Sequence, residues 1–363
     1  IDFVRLVTFA GVVLDHVLLV MMNSGDIIAN GIGLCMRYTR YCFFALTGFV
    51  LTYQYRHRQL DARKFWRRRF KLIGLPFLTW TIFYWTYKRW SDGGIAGLEA
   101  AARDTATSLK SLLYDLITGD AAHHLYFLSV SMQIYLIFPA LLWLLRRTEG
   151  YHRYLLALAG AWHVWLMYHT VRPPLAIFAD GPGALLWRHM GITVLPYIFF
   201  VLGGALAAYH FEAFTAFFKK WAYPLAALSI ATIVATLMYY DHKVHDGEEM
   251  ARATNVYMPH NMFAFLGIIV LLYLLGMAWQ ARRTPGSIPD RFLSTAADRS
   301  FAIYLAHVVV IWSVVPAILD LQLPDGIGMT FAYLVVCLLT VLIVEVLRRS
   351  PISLITTGRN RVD

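Results

Sequence analysis

Apolar runs of about twenty residues, the length a bilayer-spanning helix needs, recur along the whole chain between short polar stretches. They fall near 3–22, 34–55, 73–91, 124–145, 153–170, 190–210, 222–241, 262–280, 299–318 and 328–348. The pattern predicts an all-α polytopic integral membrane protein with about ten transmembrane helices. Segment 96–118 differs: Leu98, Leu109, Leu112, Leu113 and Leu116 are interleaved with charges, an amphipathic pattern that places it on the membrane surface. Two further long polar loops span 171–189 and 242–261. With no polar linker, internal repeat or low-complexity tract, residues 1–363 read as one transmembrane domain.

Composition agrees with that pattern. The chain is 59% hydrophobic and only 15% charged, against about 25% charged in a soluble domain, and its mean hydropathy is +0.55. The 11 Trp and 21 Tyr suit membrane interfaces. A net charge of +10 reads as a cytoplasmic bias of Lys and Arg rather than as a nucleic-acid surface. With the N-terminus inside, ten spans place 22 Lys and Arg on inner segments and 8 on outer ones, so both termini are expected in the cytoplasm. Cys35, Cys42 and Cys337 all lie in apolar stretches and read as core residues. The chain opens at Ile1 without an initiating Met, as it would if a short leader were missing. Its first apolar segment, interrupted by Asp15 and His16, reads as a permanent span rather than a cleavable signal.

Ionisable groups at membrane depth are costly and commonly functional. Arg5 and His16 are eleven residues apart, about 1100° of helix, so they share one face about 16 Å apart along the axis. Such a stripe suits a substrate entering from the cytoplasm with phosphates at Arg5 and its reactive end near His16. The plainer alternative is a snorkelling arginine and a histidine bonded between helices. The loop after the second span, from Arg63 to Lys71, concentrates Arg67, Arg68, Arg69 and Lys71 around Phe65, Trp66 and Phe70. It suits the phosphates of a nucleotide-like donor or an anchor to anionic lipid. His123 and His124 open the fourth span; on a helix they would point about 100° apart, a poor metal pair. His307 sits mid-membrane after Ser300 and Tyr304 and also fits a buried helix–helix hydrogen bond. Glu345 with Arg348 and Arg349 reads as a structural cluster at a helix end. No nucleophile elbow, Walker loop or zinc spacing is present, and no metal is expected.

Several of these residues resemble those of a known family. Arg5 through His16 is similar to the Arg-x10-His signature in the first helix of membrane-bound acyltransferase-3 proteins. Phe43-Phe44-Ala45-Leu46-Thr47-Gly48-Phe49 resembles that family's Phe-Phe-x-x-Ser-Gly-Phe stretch, with Thr47 in place of Ser. The basic stretch to Pro76 and Trp80 resembles its next block, although the usual Arg-x-x-Arg reads Arg68-x-x-Lys71 here. His124-Leu125-Tyr126-Phe127-Leu128 with Gln133, Tyr135 and Pro139, and the late Ser300 to His307, are similar to two more blocks, in the family's order.

The resemblance implies an integral membrane O-acyltransferase of the bacterial plasma (inner) membrane. It would move an acyl group of the acetyl or succinyl class from cytoplasmic acyl-CoA (acetyl-CoA or succinyl-CoA) to a hydroxyl of an extracytoplasmic glycan or lipid-linked sugar. Under that reading Arg5, Arg67, Arg68, Arg69 and Lys71 hold the CoA phosphates. His16, oriented by Asp15, is the general base or briefly carries the acyl group. His124, Tyr304 and His307 line the acceptor side. Other expected partners are membrane lipids, with no nucleic acid. Two alternatives stand beside it: a transporter or flippase of a lipid-linked sugar, and a non-catalytic partner of a glycan synthase.

Overall fold

The structure, a computed structural model, describes residues 1–23 and 25–362. Of these 82% are helical and none forms a strand. Among the described residues six helices are each long and apolar enough to cross a bilayer: α1 (Asp2–Met21), α6 (Tyr126–Arg147), α11 (Ala222–His245), α13 (Asn261–Arg282), α14 (Ile288–Leu319) and α15 (Asp325–Arg349). A seventh arises if Leu195–Tyr209 and Phe211–Lys220, which contain α9 (Ile198–Tyr209) and α10 (Phe211–Lys220) and meet at 94°, count as one bent span. The other three apolar runs are helical but too rich in polar residues to meet that standard. The protein is therefore a multi-pass, all-helical membrane protein.

Three local expectations change. The run 34–55 is divided at Arg37 between α2 (Ile27–Met36) and α3 (Tyr38–Tyr55). The run 190–210 opens with two short 3₁₀ turns, and Pro196 in the second forces the start of α9, since proline has no amide to offer an earlier turn. Gln133 clamps that break from α6: its amide donates to the Ile192 carbonyl at 2.7 Å and accepts from the Val194 amide at 3.0 Å. Thirdly, the basic stretch 63–71 is not a loop but the opening turns of α4 (Ala62–Arg103). Asp61 caps it, accepting from the Lys64 amide at 3.1 Å, and that bond holds the carboxyl below its usual range. Helix α4 breaks at Gly94, where φ is +58°, and the stretch 96–118 is divided between its end and α5 (Thr105–Thr118), on which Leu109 and Leu113 are exposed.

One face gathers the cations. Arg56 of α3 pairs with Glu212 of α10 at 2.7 Å, and Arg146 of α6 donates to the carbonyls of Tyr55 and Arg58. Asp298 of α14 binds Arg299, Arg348 and Arg359 at 2.9–3.0 Å. Glu345 reaches Arg299 at 2.7 Å and Arg349 at 3.8 Å, so Arg348 leaves the expected intrahelical cluster for Asp298. Arg359 and Asp298 are among the charges nearest Arg5, which puts both chain ends on this face. The last segment docks on α4, where the Trp80 indole donates to the Thr356 carbonyl at 2.8 Å.

The tightest helix contact joins α3 to α9. A Cβ on Gly48 would collide with the Val201 carbonyl, and one on Gly204 with the Ala45 carbonyl. Two glycines thus let the backbones touch, the small-residue packing that holds helices together in lipid. Gly204→Ala must push backbone against backbone and should cost at least the ~1–3 kcal/mol typical of overpacking. Gly203→Ala, whose nearest outside atom is Leu156 Cδ1 at 4.0 Å, should be silent. Melting of the two purified variants in detergent checks this, with several degrees lost for the first only.

Candidate active site

Four imidazoles converge inside the bundle. Helix α1 supplies His16 and α14 supplies His307, while His123 and His124 come from the turn before α6. That turn enters the protein because Gly119 ends α5 with φ +78° against the backbone of Tyr126, and because Ala121, Ala122 and Leu125 are small or apolar enough to be buried beside it. His123 and His124 therefore do not lie on a helix, and their rings stand 5.8 Å apart.

The central contact is a hydrogen bond of 2.7 Å between His16 Nδ1 and His307 Nε2. The two rings are nearly coplanar, 10° apart with centroids at 5.0 Å, as a straight in-plane bond requires. Backbone carbonyls settle its direction. His307 Nδ1 lies 2.8 Å from the Tyr304 carbonyl and 3.3 Å from that of Ile303. A carbonyl only accepts, so His307 Nδ1 carries the proton, and in the neutral ring Nε2 is then an acceptor. His16 Nδ1 must donate to it, which leaves His16 Nε2 unprotonated on a ring that lines a cavity.

Two tyrosines brace this pair. The Tyr84 hydroxyl donates to the Leu305 carbonyl at 2.7 Å and accepts from the Val309 amide at 3.2 Å. It thereby inserts into the α14 ladder on either side of His307. The Tyr304 hydroxyl donates to the His124 carbonyl, tying α14 to the turn. His124 is buried, and neither of its ring nitrogens has a well-formed hydrogen bond among the described residues. Of the four imidazoles only His16 and His307 bond to each other, and no group of three His, Cys, Asp or Glu among the described residues is placed to hold a metal.

The cavity measures about 460 Å³, within the usual range for small-ligand sites. Its mouth lies at exposed Leu19, His123 and Ala251, at the far end of α1 from Arg5, about 21 Å along the axis. Asp15, Arg37 and Arg40 also line it. Asp15 makes no hydrogen bond to His16, because consecutive helix residues point about 100° apart; the charges nearest its carboxylate are Arg37 and Arg40. The group that orients His16 is His307.

On the Arg5 side of His16 lies a layer of aromatic rings, three of which, Phe43, Phe127 and Tyr304, also line the cavity. Phe9 packs on Phe43 at 4.4 Å and on Tyr304 at 5.8 Å, and Phe127 meets Phe43 and Tyr304 at 5.4 Å. Below it, of the basic stretch, only Arg69 turns inward. It bonds Gln54 at 2.9 Å and lies 5.7 Å from the Tyr135 ring, on which Arg5 also acts. Arg67, Arg68 and Lys71 are exposed.

Comparison with known proteins identifies the family. The sequence matches an acyltransferase domain, that of the acyltransferase-3 family, over residues 1–349. The chain belongs to this family and is a membrane acyltransferase. No curated protein and no solved structure matches it.

Tyr84, Arg40 and the His16–His307 pairing were not legible in the sequence, where a tyrosine or arginine inside a span carries no mark of its partner. If His307 fixes the His16 tautomer, His307→Ala should lower kcat about 10- to 100-fold, the usual cost of losing an orienting partner, with KM little changed. His307→Gln offers an amide oxygen to accept from His16 and should retain more activity; steady-state acyl-transfer rates of the two variants decide.

Proposed function

We propose that the protein transfers an acyl group from acyl-CoA, docked at the basic face, to a hydroxyl of a glycan or lipid-linked sugar that enters through the mouth of the cavity. The observation that carries this is the bare Nε2 of His16, held by His307 on the wall of a cavity that opens at the far end of α1 from Arg5. The membrane is taken as a bacterial plasma membrane, with the basic face, and with it both termini, in the cytoplasm.

In this reading Arg5 and Arg69, flanking Tyr135, receive the donor phosphates where Arg gives charge-assisted, bidentate contacts. Exposed Arg67, Arg68 and Lys71 add attraction at the surface. The thioester arm reaches His16 when Phe9, Phe43, Phe127 and Tyr304 move apart. His16 Nε2 takes the proton of the acceptor hydroxyl as its oxygen attacks the thioester carbonyl. The resulting imidazolium still donates through Nδ1 to His307. Collapse of the tetrahedral intermediate breaks the C–S bond, and the departing CoA sulfur recovers the proton from His16. Ester and free CoA thiol leave, and the base is restored. His124 and Tyr304 stand where the acceptor would lie.

Purified His16→Ala should lose about 10²–10⁴ of its rate in an assay of CoA-thiol release with a glycan acceptor, while CoA binding persists. Arg69→Ala and Arg5→Ala should instead weaken CoA binding, each by about tenfold or more, as loss of a charge-assisted bond implies. Undiminished turnover by His16→Ala would remove the base from the mechanism. Transport of an unmodified lipid-linked sugar without CoA release would favour a transporter.

A further inference from the structure

Arg40 is the one strongly basic side chain on the cavity wall with no partner among the described residues. It forms no ion pair and donates no hydrogen bond, whereas its neighbour Arg37 is engaged with the Thr254 carbonyl. Its guanidinium sits 5.1 Å above the Tyr126 ring, among the phenols of Tyr126, Tyr197, Tyr257 and Tyr41, and the nearby Asp15 carboxylate is shared with Arg37. The cavity's charged lining is Asp15, Arg37 and Arg40, so one positive charge goes uncompensated. A guanidinium taken out of bulk water without an anion is expensive. Its planar set of five donors, on the wall of the cavity that His16 also lines, matches a carboxylate in shape and charge.

We propose that Arg40 binds a carboxylate carried by the substrate, so that the enzyme selects an anionic group within reach of His16. This deepens the reading of His16 as the base of the same cavity and rests on it. Two substrates can bring such a group. One is a dicarboxylic acyl chain of the succinyl type, whose distal carboxylate meets Arg40 while its thioester carbon lies at His16. The other is an acceptor sugar bearing a carboxylate. Tyr126 and Tyr257, both on the cavity wall, supply phenol hydroxyls to the remaining lone pairs of either.

Succinate alone is the first probe, titrated calorimetrically into the full-length protein in detergent beside neutral succinamide. Wild type should bind succinate and not succinamide. Arg40→Gln should weaken succinate binding about 10- to 100-fold, and Arg40→Lys, which keeps the charge but not the fork, should lie between. Equal succinate binding by wild type and Arg40→Gln, or equal binding of succinate and succinamide, overturns the proposal. Because no turnover is involved, this result stands apart from the fate of the acyl-transfer mechanism, and Arg40→Lys guards against a variant that merely fails to fold.

Turnover then separates the two sources. Succinyl-CoA and 4-methylpentanoyl-CoA, its neutral match in shape, are compared on octyl glucoside, and 4-methylpentanoyl-CoA is compared on octyl glucoside and octyl glucuronide. A succinyl preference in wild type that vanishes in Arg40→Gln places the carboxylate on the acyl group. A glucuronide preference that vanishes places it on the acceptor. Absence of either preference in wild type overturns the assignment of Arg40 to substrate.

Discussion

A backbone carbonyl on α14 decides where one proton sits, and the chemistry of the cavity follows from it. Because Tyr304 and Ile303 offer only acceptors to His307 Nδ1, the proton is fixed there. His307 then accepts from His16, and His16 is left with a bare Nε2. Membrane burial strengthens the arrangement: with little water to offer an alternative partner, each hydrogen bond in the chain is worth more and harder to rearrange. The relay has the logic of an orienting carboxylate behind a catalytic histidine, but it is built from neutral groups. That suits a site where an added negative charge would be costly to bury.

The helices that carry this relay are held by devices that look unrelated to it. Gly48 and Gly204 bring α3 against α9 until the backbones touch. Helix α3 is also the element that presents Arg40 and Phe43, one to the cavity and the other to the aromatic layer. Gln133 clamps the break at which α9 begins, and Tyr84 enters the hydrogen-bond ladder of α14 around His307. A methyl group added at either glycine would displace cavity wall and aromatic layer together. Packing in this protein thus fixes the cavity wall through rigid elements as well as through the histidines.

What the sequence revealed depended on how local the determinant was. Helical periodicity alone predicts the stripe of Arg5 and His16, since both lie on one helix, and the apolar runs marked every long helix. Charge in the stretch 63–71 was equally plain, but its direction was not. Only the helical start at Asp61 determines that Arg69 turns inward while Arg67, Arg68 and Lys71 face out. Asp15 was the natural orienter by adjacency, yet adjacency on a helix sends side chains apart, and the actual partner lies 291 residues away. Arg40 sat unremarked inside an apolar run because a missing partner is visible only once the surroundings are folded.

The two polar regions of the bundle have opposite openings. Arg5 and Arg69 serve the basic face, the cavity opens at Leu19, His123 and Ala251, and four aromatic rings close the path between them. Under the proposed acyl transfer, a permanent channel joining the two would let water reach the donor thioester, and it would leak small ions across the bilayer. A layer of rings that parts only for an acyl arm avoids both. On this view the hydrolysis a transferase must suppress is limited by Phe9, Phe43, Phe127 and Tyr304, not by the base. Under that proposal, smaller side chains at Phe9, Phe43 and Phe127 would raise wasteful thioester cleavage while leaving His16 and its hydrogen bond to His307 in place.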